Sequence, residues 1–484
     1  MNISYKWLLE YLPCTLSPQE IADTLTSIGL ETGGVEEIET IRGGLRGLVI
    51  GHVLTCEEHP NSDHLHITTV DVGADAPLQI VCGAPNVAAG QKVVVATVGT
   101  TLYHGEEEFA IKKSKIRGVE SFGMICSEVE IGVGSSNDGI IVLPSDAPVG
   151  MPAAEYYHVE SDYCIEVDIT PNRVDATSHY GVARDLAASL KRNGVPAELK
   201  LPEVNLPTDI IDSRIEVKVA DATACPRYQG LVIRDITVGE SPEWLRNRLQ
   251  AIGLRPINNI VDITNYVLHE FGQPLHAFDL AFIKEDRVHV QTVAEGTPFV
   301  TLDGVERKLT AEDLMICDSN GDPMCVAGVF GGLHSGVTEK TKDIFLESAN
   351  FNPTMVRRTA RRLGLNTDSS FRFERGLDPE RTDWALRRAA SFILEIAGGR
   401  LGGMTDVYPN PLKPHQICLS FEKVNSVIGR TIEPETVRSI LDSLEIRISK
   451  EEDGVMTLEV PRYRTDVTRD VDVIEEIMRI YGYN

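Results

Sequence analysis

Four carboxylates near the end of the chain have the spacing of a divalent-cation site. Asp472, Glu475 and Glu476 lie at positions i, i+3 and i+4 of a predicted helix over 468–481 and therefore share one face, and Asp466 precedes that helix by less than one turn. Carboxylate oxygens are the ligands that Mg²⁺ prefers. The pattern predicts a magnesium site. The alternative is that these acids complement the helix macrodipole or pair with arginines.

Two basic stretches could contact phosphates, although the chain as a whole is acidic. The net charge of −26 excludes a nonspecific coat of nucleic acid, so any RNA binding must be local. The shorter stretch consists of Lys112, Lys113, Lys115 and Arg117. The longer one, 354–400, holds ten arginines, no lysine and six acids. Its arginines at 357–375 either guide an RNA strand or form internal ion pairs with Glu374, Asp378 and Glu380.

Three histidines and an aspartate lie within one short segment, in a spacing that suggests a metal site. They are His59, Asp63, His64 and His66. However, the Pro60–Asn61 pair is typical of a turn, and His64 and His66 would share one face of a strand. We therefore expect a solvated loop here rather than a metal centre.

Several common kinds of site are missing from the sequence. It has no GxxxxGKS/T loop and no GxGxxG fingerprint, so an ordinary nucleotide cradle is not expected. It also has no GxSxG elbow and no HExxH motif. The nine cysteines are scattered without a CxxC pair, which disfavours a zinc ribbon and a disulfide framework.

Length and composition predict several globular domains. A chain of 484 residues corresponds to about three domains, and 42% hydrophobic with 24% charged residues is typical of folded proteins. No apolar run approaches the ~20 residues of a membrane-spanning helix, and the first residues lack the pattern of a signal peptide. We therefore expect a cytoplasmic protein without a membrane association.

The pattern of apolar residues and turns changes along the chain. Residues 5–30 are predicted to be helical, with Ser17 as an N-cap, and about 41–150 reads as short strands that suggest a small closed barrel. A helix is predicted over 184–193 and a linker over 198–207. Residues 210–400 are typical of one larger α+β domain, with a helix from 378 to 397. The last ~70 residues combine two helical patterns with a β segment.

Several segments together resemble one known family. Segments 53–63, 80–87 and 116–127 are similar to the tRNA-binding OB domain of synthetases and their accessory proteins. Further motifs lie at 255–266, 272–279, 326–332, 345–349, 361–379, 460–470 and 480–484. In this order and spacing, they resemble the bacterial phenylalanine–tRNA ligase β subunit over essentially the whole chain. Members of that family continue for several hundred residues more, so we expect the chain to be an N-terminal part.

The resemblance implies a multi-domain α+β fold. An OB-fold tRNA-binding barrel would be inserted into a split N-terminal α+β domain, followed by an α+β B3/B4 editing domain and a small α+β B5 domain. The implied boundaries are 1–40 with 151–200, 41–150, 208–405 and 411–484.

The resemblance also implies the function. In the family, the α subunit attaches phenylalanine to tRNA(Phe) in an α₂β₂ enzyme that uses ATP and Mg²⁺, and the B3/B4 domain hydrolyses tyrosine wrongly attached to that tRNA. Such editing is needed because a phenylalanine pocket rejects an added hydroxyl only by roughly a hundredfold. The chain alone is not expected to aminoacylate, since no ATP site is visible in it. The alternatives are a noncatalytic tRNA-binding scaffold with an inert pocket and, less favoured, a freestanding deacylase.

The family pattern assigns roles to individual residues. Glu347 would accept a hydrogen bond from the tyrosine hydroxyl, His276 would orient the substrate or a water, and Thr367 would offer a polar group near the ester. The implied substrate-binding residues are Arg255, Thr264, Asn265 and Gly331. Ser369 departs from the alanine common in the family. The acids 466–476 would hold Mg²⁺ near the α subunit.

Each assignment has a structural alternative. His276 could be a packed histidine that bonds a backbone carbonyl. Glu347 could pair with an arginine. Gly331 could serve only a tight turn.

Overall fold

The strand and helix signals of the sequence reappear in a computed structural model, which describes residues 1–104, 107–134, 136–157, 159 and 161–483. The chain divides into two units. One is Glu37–Asp162, and the other joins Met1–Glu36 to Tyr163–Asn484. Asn484, the last residue of the predicted B5 domain, lies outside the described residues, as do five positions within the predicted barrel and split domain.

Capping residues set the helices of the N-terminal segment. Its elements are β1 (Asn2–Ser4), α1 (Tyr5–Tyr11), α2 (Pro18–Ser27) and β2 (Thr32–Glu39). The Ser17 backbone N–H donates to the Glu20 carboxylate at 2.7 Å, and Pro18 occupies the first turn of α2. The helical stretch predicted over 5–30 is thus two helices, because Pro13 falls between them.

The unit Glu37–Asp162 is a nearly closed barrel, as its alternating apolar runs predict. Its elements are β3 (Leu48–Glu58), β4 (His66–Asp71), β5 (Leu78–Cys82), β6 (Lys92–Thr97), β7 (Thr101–His104), β8 (Glu107–Ala110), β9 (Ser114–Ile116), β10 (Val119–Ser121), β11 (Gly123–Ile125), α3 (Glu128–Ile131), β12 (Val142–Leu143) and α4 (Ala153–Tyr156). The main sheet has the order β11-β6-β3-β4-β5, with β12 also on β6. Phe122 N donates to Gln79 O at 2.9 Å and nearly joins the two edges. Val53, Val70, Ile80 and Val93 fill one core of this barrel.

A larger α+β region follows. Its elements are β13 (Ser161–Val167), α5 (His179–Arg192), β14 (Glu216–Val219), β15 (Arg227–Arg234), α6 (Glu243–Ala251), α7 (Asn259–Phe271), β16 (Leu275–Asp279), β17 (Arg287–Thr292), β18 (Pro298–Val300), β19 (Glu306–Lys308), β20 (Leu314–Cys317), β21 (Pro323–Val326), β22 (Phe330–Gly331), β23 (Ile344–Asn350), α8 (Pro353–Leu363), α9 (Asp368–Phe373), α10 (Arg381–Ile396) and β24 (Arg400–Val407). Short 3₁₀ turns lie at Val174–Ala176, Leu280–Phe282 and Lys284–Asp286. Helix α5 begins earlier than predicted because Ser178 caps it.

One antiparallel sheet of this region separates two cores. Its strand order is β16-β23-β15-β24. Leu231 and Leu346 share one core with residues of α7 and α10. Alternate positions such as Phe278 and Phe345 share the other core with the second sheet, β14-β17-β20-β21-β22. The alternation follows from the two-residue period of a strand, and it places one face of the first sheet against the second.

The C-terminal region is a small α+β domain. Its elements are β25 (His415–Ser420), α11 (Phe421–Ile428), α12 (Pro434–Ser443), β26 (Arg447–Glu452), β27 (Val455–Val460) and α13 (Asp470–Tyr481). The strands pair in the order β25-β27-β26. A buried ion pair of 3.0 Å joins Arg479 of α13 to Asp185 of α5. Among the described residues, no helix combines the length and apolar character that crossing a bilayer demands.

Candidate editing site

A cavity of about 340 Å³ opens beside the edge strand β16. Its walls come from α7, β16, β22, β23 and the start of α9, and its lining residues lie between positions 261 and 373 of the chain. It is lined by six of the seven residues proposed for catalysis and substrate binding: Thr264, Asn265, His276, Gly331, Glu347 and Thr367. Arg255 does not line it; this side chain is exposed in the loop before α7.

His276 and Glu347 lie side by side in the wall of the cavity. The two residues are direct neighbours in the antiparallel register of β16 and β23, so their side chains project from the same face of the sheet. Three consecutive apolar positions of β23 flank the carboxylate in a fully buried strand. An ionisable group in such a place needs a specific partner or a neutral state.

Glu347 has one bonded oxygen and is otherwise isolated. The side chain is buried, with 5% exposure, and the Tyr228 hydroxyl donates to its Oε2 at 2.6 Å. Burial raises the pKa of Glu347 to about 8, while the hydrogen bond from Tyr228 acts to lower this pKa. Within the described part of the chain, no arginine forms an ion pair with Glu347, so the arginine alternative does not explain its burial.

His276 packs edge-on against an aromatic ring and keeps one nitrogen unpaired. Its ring centroid lies 4.5 Å from that of Phe278, at an interplanar angle of 76°. Desolvation lowers the pKa of His276 to about 4, so the imidazole is neutral at pH 7. Its buried Nε2 has no hydrogen-bond partner among the described residues. A molecule that fills the cavity can supply the missing partner.

Gly331 lies in strand β22 beside the His276 ring rather than in a tight turn. A Cβ atom at this position would lie 2.9 Å from His276 Cε1 and 2.9 Å from Leu302 Cδ1. Both contacts are shorter than packed side chains tolerate. The missing side chain therefore preserves the position of the His276 ring and the space beside it.

The polar residues at α7 and at the start of α9 differ in whether their side chains already form hydrogen bonds within the chain. The Thr264 hydroxyl donates to Val261 O at 2.7 Å. The Thr367 hydroxyl caps α9, accepting from Ser370 N at 3.0 Å and donating to Val329 O at 2.9 Å. Both hydroxyls are thus engaged in local structure. Asn265 lines the cavity, and no hydrogen bond of its side chain occurs among the described residues.

The arginine run 357–375 contains both internally bonded and exposed side chains, and a contact of the exposed ones with RNA stays a prediction. Arg375 pairs with Glu374 at 2.9 Å, as the ion-pair alternative predicts, whereas buried Arg372 donates to the backbone oxygen of Thr177 at 3.1 Å. Glu380 pairs instead with Arg462 outside the run. The exposed Arg358 and Arg361 on α8 have no ion pair within the described residues. Asp378, the third acid that was predicted to pair with these arginines, is buried.

The basic strip of the barrel is brought together on one exposed hairpin. It contains Lys112, Lys113, Lys115 and Arg117, all exposed, around strands β9 and β10. Lys113 pairs with Glu120 at 2.9 Å, and Arg117 donates to Asn61 O at 3.0 Å. Lys112 also lines a cleft of about 930 Å³ in this unit. Three of the four cations, Lys112, Lys115 and Arg117, have no ion pair among the described residues.

The histidine-rich turn packs against that hairpin. His59 is buried, accepts from Asn61 N at 3.1 Å and lies 3.2 Å from Ile116 O through Nε2. The expectation of a solvated loop is therefore wrong for His59, although His64 is exposed. The His59 ring thus holds the turn against the hairpin.

The four acids at the end of the chain do not form a common cation site as they stand. Arg464 donates to both oxygens of Asp466 at 3.0 Å, and the buried Glu476 pairs with Arg464 and Arg479. The acids differ further: Asp472 caps α13 together with Arg469, and Glu475 is exposed. No group of three or more histidines, cysteines or acids in the described ranges is arranged to hold a metal ion. Their geometry matches the charge-pairing alternative, and magnesium binding by these acids stays a prediction.

Sequence reasoning missed Tyr228, the partner of Glu347. It also missed Cys325, Leu302 and Asp368, which line the cavity. Tyr228 stands 119 positions before Glu347 and belongs to an ordinary apolar strand pattern. Only the order of the strands brings the two together, so no local signal could have found the pair.

Comparison with known proteins gives the same order of regions. Three family models match: "Putative tRNA binding domain" at residues 48–152, "B3/4 domain" at 224–398 and "tRNA synthetase B5 domain" at 417–483. A phenylalanine–tRNA ligase β subunit of Porphyromonas gingivalis is 98% identical over 484 residues, which are 100% of this chain and 59% of that protein. The chain belongs to the phenylalanine–tRNA ligase β-subunit family.

More distant relatives carry the same name. The β subunit of Bacteroides fragilis is 63% identical over 486 aligned residues, and that of Salinibacter ruber is 44% identical over 498. In each case all of this chain is covered, against 59% of the relative. The cavity residues from Thr264 to Thr367 fall within the match to the B3/4 domain. The chain thus spans a little under three fifths of the length of these relatives.

Proposed function

We propose that the cavity is an editing site that hydrolyses tyrosine wrongly attached to tRNA(Phe). The observation that carries the proposal is the pair His276 and Glu347, two buried polar groups with unused bonding capacity on one cavity wall. The family membership and the B3/4 match support the same assignment.

Glu347 explains the choice of substrate. Its Oε2 accepts from Tyr228, which leaves the other oxygen for a ligand. A phenol hydroxyl both donates and accepts, so it bonds Glu347 in either protonation state. A phenylalanine ring offers no such group and would leave the buried carboxyl unpaired, which costs about 1–3 kcal/mol. The cavity therefore favours the wrong product over the right one.

We assign His276 the role of orienting the water that attacks the ester. As a neutral imidazole it can hydrogen-bond a water through Nε2 without carrying a charge into the cavity. Attack of that water on the ester carbonyl breaks the bond to the terminal ribose and releases free tyrosine and a tRNA with an intact 3′ end. Asn265 can orient the substrate amine or carbonyl, and Thr264 and Thr367 shape the walls. Arg255, outside the cavity, is proposed to contact the terminal nucleotide or its phosphate.

The chain acts, in this proposal, as part of a larger ligase. Its partners are an α subunit that attaches phenylalanine with ATP and Mg²⁺, in an α₂β₂ assembly, and tRNA(Phe). The barrel would be an OB fold that contacts tRNA through the strip from Lys112 to Arg117. The functional division would follow the predicted domains 1–40 with 151–200, 41–150, 208–405 and 411–484. We place the complex in the cytoplasm and expect no aminoacylation by the chain alone.

Release of tyrosine tests this proposal. Tyrosyl-tRNA(Phe) is incubated with the purified chain, alone and with the α subunit, and with His276→Ala and Glu347→Ala variants in each setting. We expect hydrolysis that both substitutions reduce at least tenfold. Full activity in both variants would assign the reaction to another site. No hydrolysis by the complete enzyme would favour the noncatalytic scaffold.

A further inference from the structure

We propose that Tyr228 is a positioning residue that determines the specificity of the cavity. By bonding one oxygen of Glu347, it holds the other oxygen toward the cavity, where that oxygen recognises the phenol hydroxyl of a tyrosyl ester. This inference rests on the proposed editing function and adds a residue that does not itself touch the substrate.

Small residues opposite Tyr228 and Glu347 make their contact possible. In the register of β15 and β23, Glu347 faces Gly230 and Tyr228 faces Ala349. The two functional side chains are therefore diagonal neighbours, a separation that an aromatic side chain can span. A Cβ at 230 would lie 1.9 Å from the Phe345 ring, so the position is closed to any side chain. The result is the 2.6 Å hydrogen bond from the Tyr228 hydroxyl to Glu347 Oε2.

No other group in the described structure competes for the carboxylate. The nearby thiols donate to backbone oxygens, Cys225 to Arg227 O at 3.5 Å and Cys325 to Phe330 O at 3.4 Å. Tyr228 is completely buried behind the carboxylate and does not line the cavity. Since Glu347 does line it, Tyr228 can influence a ligand only through Glu347.

Loss of the Tyr228 hydroxyl should weaken recognition of tyrosine selectively. Tyr228→Phe keeps the ring and its packing but leaves both oxygens of Glu347 free, so the carboxyl is no longer held in one orientation. A hydrogen bond to a charged or polar partner of this kind corresponds to about a tenfold change in affinity. Binding of a phenylalanyl ligand, which makes no bond to Glu347, should not change.

Binding of two non-hydrolysable ligands tests the inference without catalysis. The probes are 3′-amino-3′-deoxyadenosine carrying tyrosine or phenylalanine through an amide, titrated by calorimetry into the full chain in complex with its α subunit. Tyr228→Phe is compared with Glu347→Gln and with Tyr463→Phe. The last variant removes a similar hydrogen bond, Tyr463 to Glu445 at 2.7 Å, outside the cavity.

The wild type should bind the tyrosyl probe more tightly than the phenylalanyl probe. Tyr228→Phe should weaken the tyrosyl probe about tenfold and leave the phenylalanyl probe within twofold, whereas Tyr463→Phe should change neither. Equal weakening of both probes would mean a structural role and would overturn the inference. So would an unchanged preference in Tyr228→Phe, or a wild type that binds neither probe. A preference that depends on Tyr228 without release of tyrosine from tyrosyl-tRNA(Phe) would refute the hydrolytic function alone.

A kinetic readout separates positioning from chemistry. With tyrosyl-tRNA(Phe), Tyr228→Phe should raise KM about tenfold while kcat stays within twofold, because the hydroxyl acts on binding of the side chain rather than on the ester. A fall in kcat with an unchanged KM would contradict this role.

Discussion

Gly331 lies directly against the imidazole of His276, close enough that a Cβ at 331 would meet His276 Cε1 at 2.9 Å. The two residues belong to different sheets, β22 and β16, which meet at the cavity. A single glycine thus fixes how near the second sheet can come to the histidine. The shape of the cavity depends on this contact as much as on the polar groups that line it.

Gly331→Ala should therefore displace the His276 ring and lower tyrosine release. The new methyl group cannot move away from both His276 and Leu302, so we expect at least a tenfold fall in kcat/KM with little loss of overall fold. Deacylation of tyrosyl-tRNA(Phe) is the assay. Gly239→Ala is the control, because a Cβ there would meet nothing within 4 Å. Full activity of Gly331→Ala would show that the position of His276 is unimportant.

Glu347 should make stability depend on pH. Its pKa is about 8 in the folded chain against an ordinary 4.5, so between these values the folded state holds a proton that the unfolded state has lost. The contribution of this group to stability is therefore greatest at low pH and falls as pH rises through this window, on the order of 1 kcal/mol per pH unit.

The Glu347→Gln variant isolates this effect. Glutamine does not titrate, so the variant should gain stability relative to the wild type as pH increases from 5 to 8. Urea unfolding of the two proteins at four pH values measures the difference. A difference that stays constant over this range would mean that Glu347 is ionised in the folded chain throughout.

Thr367 is expected to act through the helix that it caps. Thr367→Ala removes the hydrogen bonds to Ser370 N and Val329 O and should cost about 1 kcal/mol of stability. Tyrosine release should fall with it, because the start of α9 forms a wall of the cavity. Thr367→Ser should restore both, as the hydroxyl is retained. Normal stability together with lost activity in the alanine variant would instead favour a direct role at the ester.

The barrel hairpin should contact tRNA mainly through its unpaired lysines. Replacing Lys112 and Lys115 by alanine should weaken binding of tRNA(Phe) and reduce the slope of log affinity against log salt by roughly 1.5. Lys113→Ala should have a smaller effect, because Lys113 already pairs with Glu120. Filter binding at several salt concentrations would show this. Equal effects of Lys113 and Lys115 would contradict the assignment.

Local signals predicted much of the fold. Ser17 caps a helix, short apolar runs such as 78–82 and 92–96 are strands, and a final helix occupies most of 468–481. These outcomes follow from capping and from the periods of strand and helix, which nearby residues determine. The ends of helices were predicted less accurately. The helix predicted from residue 184 begins at His179, because Ser178 is the capping residue.

For the candidate site, the sequence predicted which residue types take part but not how they are arranged in space. The family motifs pointed to His276 and Glu347, but their position on neighbouring strands depends on the order β16-β23-β15, which no short segment encodes. The same order brings in Tyr228, which no motif signalled. Conversely, Asp466 and Glu476 suit a cation by sequence spacing, but they pair with Arg464 and Arg479, as the charge-pairing alternative proposed without identifying these two arginines.

The most direct test of the proposed editing site is a crystal structure of the chain with the tyrosyl amide of 3′-amino-3′-deoxyadenosine. We predict that the ligand occupies the 340 Å³ cavity, with its phenol oxygen within hydrogen-bonding distance of Glu347 and its amide beside His276. A ligand bound elsewhere on the chain, or one whose ring points away from Glu347 within the cavity, would contradict the account.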